Sequence, residues 1–102
     1  MKKVIHGRIF DTDKAELICK IEEGQAGSFN YFEADLYQTP KSHRFFLSGE
    51  GGPMTIFAKR CSDGLTSGSE GIIALTEEQA LEFAERHANV DILQKFFKLK
   101  EA

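Results

Sequence analysis

Apolar and polar positions alternate through the first half of this chain and recur at helical spacing near its end. In "AELICKIEEG", Leu17, Cys19 and Ile21 alternate with Ile18, Lys20 and Glu22, the period of a half-buried strand that Gly24 ends. Upstream, "KKVIHGRIFD" sets Val4, Ile5, Ile9 and Phe10 around Gly7 and predicts a strand with a bend or bulge at the glycine. "DTD" at 11–13 turns the chain, so these two runs are expected to form a first hairpin. Residues 24–30 are loop by composition, and "YFEADLYQT" then reads as a strand stopped by Pro40. Leu36 and Tyr37 on one side of "PKSH" and Phe45, Phe46 and Leu47 on the other predict a second hairpin. "MTIFAKRC" fits either a short helix, since Met54, Phe57 and Cys61 share helical spacing, or a strand, which Thr55 and Ile56 prefer; a helical turn is the reading taken. "SDGLTSGSEG" is a glycine and serine loop, and "GIIAL" a short apolar strand.

The period then changes. Thr76, Glu77, Glu78 and Gln79 have the form of a capping box, in which the threonine hydroxyl accepts an amide proton and Gln79 reaches back. Leu81, Ala84 and Ala88 follow on one helical face with Phe83 beside it, and two glutamates suit the positive end of the helix dipole. Asn89 ends this helix or caps the next, and "VDILQKFFKLK" continues the spacing with Val90, Leu93 and Phe97. Two short helices, or one kinked helix, are expected. Hairpins first and helices last predict an α+β fold: an antiparallel sheet of four or five strands against one or two C-terminal helices. The 102 residues are expected to form a single domain, 1–102.

Composition narrows the function classes. Hydrophobic residues make up 41% and charged residues 28% of the chain, ordinary for a globular protein, and no apolar run reaches the roughly 20 residues that span a bilayer. His6, Gly7 and Arg8 interrupt what would be the apolar part of a signal peptide, so a cytoplasmic location is expected. Cys19 and Cys61 show neither CxxC spacing nor a neighbouring histidine cluster; they are read as free thiols, or as a disulfide only if the fold brings them together, and no metal or cofactor is expected. The net charge of −3 argues against direct nucleic-acid binding. The sign is uneven. Residues 15–40 carry Glu16, Glu22, Glu23, Glu33 and Asp35 against Lys20 alone, and residues 61–79 carry Asp63, Glu70, Glu77 and Glu78 with no base. If folding gathers these acids on one side, that side is either a solvated surface, the commoner use of such charges, or a face for a basic partner.

Candidate chemistry is sparse. "GEGGP" at 49–53 resembles a phosphate loop only in its glycines: Glu50 repels a phosphate and Pro53 lacks the amide that would bind one. It is read as a turn at a strand end, its glycines permitting positive φ or close backbone contact and Glu50 either pinning the loop or reaching a partner. His6, His43 and His87 belong to no local triad, "GLTSG" is not a nucleophile elbow, and no catalytic residue is assigned. Nine phenylalanines and two tyrosines are many for this length. Most belong to the core, with "FNYF" at 29–32 and the pair Phe96 and Phe97 the places where an exposed aromatic patch is expected.

Three stretches, "FDTDKAELI", "LYQTPKSHRFFLSGEGGPMTIFA" and "IIALTEEQALEFAE", together resemble a family of small bacterial proteins often carried on conjugative elements, plasmids and phages. The family pattern places a tyrosine where this chain has Phe10, a proline at Ala74 and a tryptophan at Phe83, so the resemblance is to a divergent member. It implies a mobile-element accessory protein of a family with no established enzymatic activity, so it transfers no catalytic residues. Proteins of this size and habitat include inhibitors of host defence, among them anti-CRISPR proteins that block a Cas component. The first reading is therefore a non-enzymatic, protein-binding inhibitor that uses Glu22, Glu23, Glu50, Asp63, Glu70, Glu77, Glu78, Phe96 and Phe97, with a Cas protein or complex as the concrete partner. The second is a small ligand-binding protein or enzyme using the loop at 49–53. The third is a self-associating structural protein, a homodimer through Phe96 and Phe97.

Overall fold

The computed structural model describes residues 1–25, 27–52, 55–60 and 66–102. In chain order the elements are β1 (Lys2–Ile5), β2 (Arg8–Asp11), β3 (Glu16–Glu23), β4 (Phe32–Gln38), β5 (Phe45–Gly51), β6 (Lys59–Arg60), β7 (Thr66–Ser67), β8 (Ser69–Leu75), α1 (Glu77–His87) and α2 (Val90–Phe96). The fold is α+β. Strands β3, β4, β5 and β8 make an antiparallel sheet in that order, α1 and α2 cover one of its faces, and β1–β2 and β6–β7 are separate two-stranded ribbons. None of the described helices is long and apolar enough to cross a membrane.

The chain does not bend at Gly7; it reverses. His6 and Gly7 both adopt positive φ, 51° and 77°, the requirement of a two-residue hairpin turn whose twist matches its strands. The run expected to be one strand is therefore a hairpin by itself, closed by Ile5 opposite Arg8. Asp11 then organises the expected turn, its carboxylate accepting from the Asp13 amide at 3.0 Å and its carbonyl from the Ala15 amide at 3.0 Å. With β1 already paired to β2, β3 takes β4 as its partner instead.

In β3 a bulge falls at Ile18, because Leu17 opposes Tyr37 while Cys19 opposes Leu36. The extra residue breaks the simple alternation. Ile18 and Ile21 both turn under the helices and are buried, whereas Leu17 is left 53% exposed. The β4–β5 hairpin forms as expected, with Leu36 opposite Leu47 and Tyr37 opposite Phe46. Its turn is fastened at Thr39, whose amide donates to the Arg44 carbonyl at 2.8 Å and whose hydroxyl accepts the Arg44 amide at 2.9 Å.

Two apolar clusters lie on opposite faces of the sheet. Ile21, Phe32, Leu36, Phe45 and Leu47 meet Ala80 and Ala84 of α1 on the helix side. On the other face Phe46 is fully buried, edge-on to Phe10 of the first hairpin with centroids 5.4 Å apart and stacked on Tyr37 at 5.2 Å. A side chain of this size contributes about 2–3 kcal/mol on burial.

Both helix starts are capped. The Thr76 hydroxyl accepts from the Gln79 amide at 3.1 Å while the Thr76 amide donates to Gln79 Oε1 at 2.9 Å, and Asn89 Oδ1 accepts from the Ile92 amide at 3.0 Å. Asn89 thus caps the second of two helices. α2 ends at Phe96, earlier than the apolar spacing suggested, because Phe97 adopts extended backbone and lays its ring parallel to Phe45 at 4.9 Å.

Residues 55–58 make a single turn, as expected, in which the Ala58 amide donates to the Thr55 carbonyl at 3.0 Å, and the chain then enters β6. The Thr55 hydroxyl accepts the Phe57 amide at 3.1 Å and so competes with helical bonding. Met54 and Cys61 lie outside the described residues, as do residues 61–65 of the expected serine and glycine loop; its later part, Thr66–Ser67 and the start of Ser69–Leu75, is strand.

Candidate functional site

Residues directly opposed across antiparallel strands project from the same face with Cβ atoms about 4.5–5.5 Å apart. Glu22 opposes Glu33, Glu33 opposes Glu50, and Glu50 opposes Glu70. One glutamate from each strand therefore stands in a single row across the whole sheet, spanning about 14 Å at ordinary strand spacing. Asp35 lies one step along on the same face, opposite Lys20 on one side and Ser48 on the other. This is the face opposite the helices, beyond the end that the first hairpin covers.

Like charges set directly opposite one another destabilise a sheet by about 0.2–1 kcal/mol per pair. The row contains three such pairs in succession. Among the described residues its only ion pair is Lys20 Nζ with Glu22 Oε1 at 3.3 Å, both side chains more than half exposed, and such pairs contribute little. Tyr31 donates its phenol to Glu33 Oε2 at 3.3 Å.

The surrounding titratable groups register the negative potential. The hydrogen bond to Glu22, and then the charges of Glu22, Glu33 and Asp35, push Lys20 upward. Tyr31 is raised by desolvation first and by Glu22 and Glu33 next. Tyr37 and Cys19 are raised chiefly by burial, with Asp35 adding to both. Only for Lys20 do the acids lead; for the tyrosines and Cys19 burial leads and the carboxylates act in the same direction.

"GEGGP" is not the corner that its composition suggested. Gly49, Glu50 and Gly51 continue β5, and neither glycine has positive φ. Their lack of a side chain serves close approach instead: a Cβ at Gly49 would strike the Glu33 carbonyl oxygen and Ala34, and one at Gly51 would strike the Thr55 hydroxyl and Phe32. Because these glycines face the helix side, Glu50 between them points the other way, into the row. Beside it runs an open groove of about 520 Å³, lined by Tyr31, Glu33, Glu50, Gly52, Ser69 and Glu70 among others. Pro53 is outside the described residues.

Of the acids expected to face a partner, Glu22, Glu50 and Glu70 are brought together. Glu23 is not. It turns to the helix side, where its Oε2 accepts from Arg86 Nε at 2.8 Å and lies 2.9 Å from His87 Nε2. Burial pushes the Glu23 carboxyl up, but the hydrogen bonds from His87 and Arg86 outweigh it and hold the group below the ordinary glutamate value. Glu77 and Glu78 occupy the first turn of α1, away from the row, and Asp63 lies outside the described residues.

The aromatic expectations divide in the same way. Phe97 is buried at 5% exposure and Phe96 is partly buried under Lys95, whose Nζ sits 5.3 Å from its ring centre, so the two do not form an exposed pair. In "FNYF", Phe32 is core and only Phe29, 70% exposed, is a free aromatic surface.

Glu33 and Asp35 are the members of the face that sequence reasoning did not single out. The signal was present in "FEADLY", where the two acids alternate with buried Phe32, Ala34 and Leu36. Extending the Leu36 and Leu47 pairing by three residues sets Glu33 against Glu50. Among the described residues, no group of three or more histidine, cysteine, aspartate or glutamate side chains is arranged to hold a metal ion. Compared with known proteins, the chain matches no family model, no curated protein and no solved structure.

Proposed function

We propose that this chain is a non-enzymatic binding module whose acidic sheet face docks on a basic surface of a partner protein. The most concrete partner is the nucleic-acid channel of a bacterial defence complex such as a CRISPR–Cas effector, which the chain would inhibit by occupying. The observation that carries this reading is the row of Glu22, Glu33, Glu50 and Glu70, one per strand and in register. A fold gains nothing in stability from three successive like-charge pairs, whereas a channel built for phosphates presents lysines and arginines at comparable density. Charge complementarity of this kind accelerates encounter and selects against wrong partners. The resemblance to mobile-element proteins supports the choice of a defence complex over other basic partners.

The test is capture of purified effector complexes by the chain, with and without their nucleic acid, alongside interference measured in cells expressing it. Binding that competes with nucleic acid, weakens steeply with salt and falls at least about tenfold in an E33Q/E50Q/E70Q variant is expected. No capture, together with undiminished interference, would refute it.

A second reading rests on the groove beside Glu50. Its lining by Glu33, Glu50 and Glu70 suits a small organic cation in place of a protein. Titration calorimetry with a polyamine, compared with the same triple variant, separates this reading from the first.

A further inference from the structure

β8 is an edge strand of the sheet. β8 pairs with β5 on one side only, and among the described residues no backbone hydrogen bond outside that ladder reaches residues 72–75. These four, Ile72, Ile73, Ala74 and Leu75, include no charge and no proline, the usual devices that keep an edge from pairing. They line an open groove of about 640 Å³ that runs between the first hairpin, through Lys3, Val4 and Ile5, and the start of α1, through Gln79. A strand edge in an apolar groove is the geometry of strand addition.

The charges around this edge identify the occupant. Glu70 stands exposed near the start of β8, while Lys3, His6 and Arg44 all line the groove together with residues 72–76. The edge is therefore acidic at one end and basic at the other, a pattern complementary to itself when reversed. We propose that a second copy of this chain adds its own β8 here, antiparallel, about a two-fold axis perpendicular to the sheet.

With Ile73 opposite its own equivalent, Ile72 faces the second copy's Ala74 and Glu70 faces its Thr76. Each Glu70 then lies at the Lys3, His6 and Arg44 end of the other molecule. The two sheets merge into one of eight strands with all helices on one side and both acidic rows on the other. This seats self-association on the β8 edge instead of on Phe96 and Phe97, and it stands independently of the function proposed above.

Sedimentation of the full chain over a range of concentrations tests it, with hydrogen exchange of the amides of residues 72–75 as a second readout. The expected result is a dimer at submillimolar concentration, with those amides gaining protection as the dimer forms. E70K and K3E each reverse one partner of a contact that the symmetry repeats twice, so each alone is expected to weaken self-association about tenfold. Mixed together, the two variants restore it, since both contacts in the mixed pair become attractive. A chain that stays monomeric at all concentrations, or a dimer indifferent to both variants, would overturn the proposal. So would a monomer whose edge takes up only unrelated peptides.

Discussion

The outer face of the sheet has two ends, made by the same strands and treated in opposite ways. At one end Tyr37, Phe46 and Ile72 lie under the first hairpin, with Phe46 fully buried against Phe10. At the other, the same strands carry Glu33, half-buried, and Glu50 and Glu70, exposed, along an open groove that only Met1 of the hairpin's leading end reaches among the described residues. The hairpin packs on the first end and touches the second only through Met1, beside Ser48. Where it reaches, the strands carry large apolar groups, and where it stops they carry one sign of charge. A surface needed only for solubility would mix signs, so the contrast separates an end that supports the fold from an end available for recognition.

The largest test of that division is Phe46→Ala. It removes a ring touching both Phe10 and Tyr37, and a loss of about 3–5 kcal/mol in urea-unfolding stability is expected. A loss below about 1 kcal/mol would mean that the hairpin cover contributes little, since typical exposed positions cost no more. Gly49→Ala probes how closely the strands beneath the acidic end approach. The added methyl would strike the Glu33 carbonyl and Ala34, so a cost of about 1–3 kcal/mol is expected in the same assay. An unchanged midpoint would show that β4 and β5 separate easily there.

Much of this contrast was legible in the chain. The second hairpin, the capping box and the two terminal helices followed from local signals, each involving residues within a few positions of one another. Three features did not. The His6 and Gly7 reversal lacks the asparagine-glycine or aspartate-glycine signature of a two-residue turn, so the run reads as one bent strand and β3 is given the wrong partner. The bulge at Ile18 leaves no compositional mark, so the apolar residues of β3 were divided between the wrong faces. The glycines of "GEGGP" allow either positive φ or close backbone contact, and only the proximity of Glu33 and Ala34 selects the second over the turn that the composition suggests. The acidic row itself required register across four strands, and two of its three pairs join segments that sequence reading treated separately.

The acidic end predicts an effect of opposite sign to Phe46→Ala. E33Q/E50Q removes all three like-charge pairs of the row while keeping side-chain size, and a gain of about 1 kcal/mol is expected at low salt. The gain should shrink in 1 M salt, where screening acts within about 3 Å. Destabilisation by this variant would show that the carboxylates are held by favourable contacts, and the case for a surface kept at the expense of stability would fail.

The smallest effect comes from the neighbours Glu22 and Glu23, which β3 directs to opposite faces. Glu22 belongs to the row, whereas Glu23 joins β3 to the end of α1 through Arg86 and His87. Because the folded protein lowers the Glu23 pKa below its unfolded value, the contact stabilises the fold above the unfolded pKa, and that contribution is lost as pH falls through the folded one. Arg86 is half exposed, so solvent screening limits the contribution to about 1 kcal/mol or less. E23Q should therefore be less stable than the parent at neutral pH, with the difference vanishing below the folded pKa of Glu23. E22Q, which loses the Lys20 pair but also the repulsion from Glu33, should stay close to the parent throughout. Equal pH profiles for the two variants would mean that the sheet does not distinguish its faces electrostatically at this end.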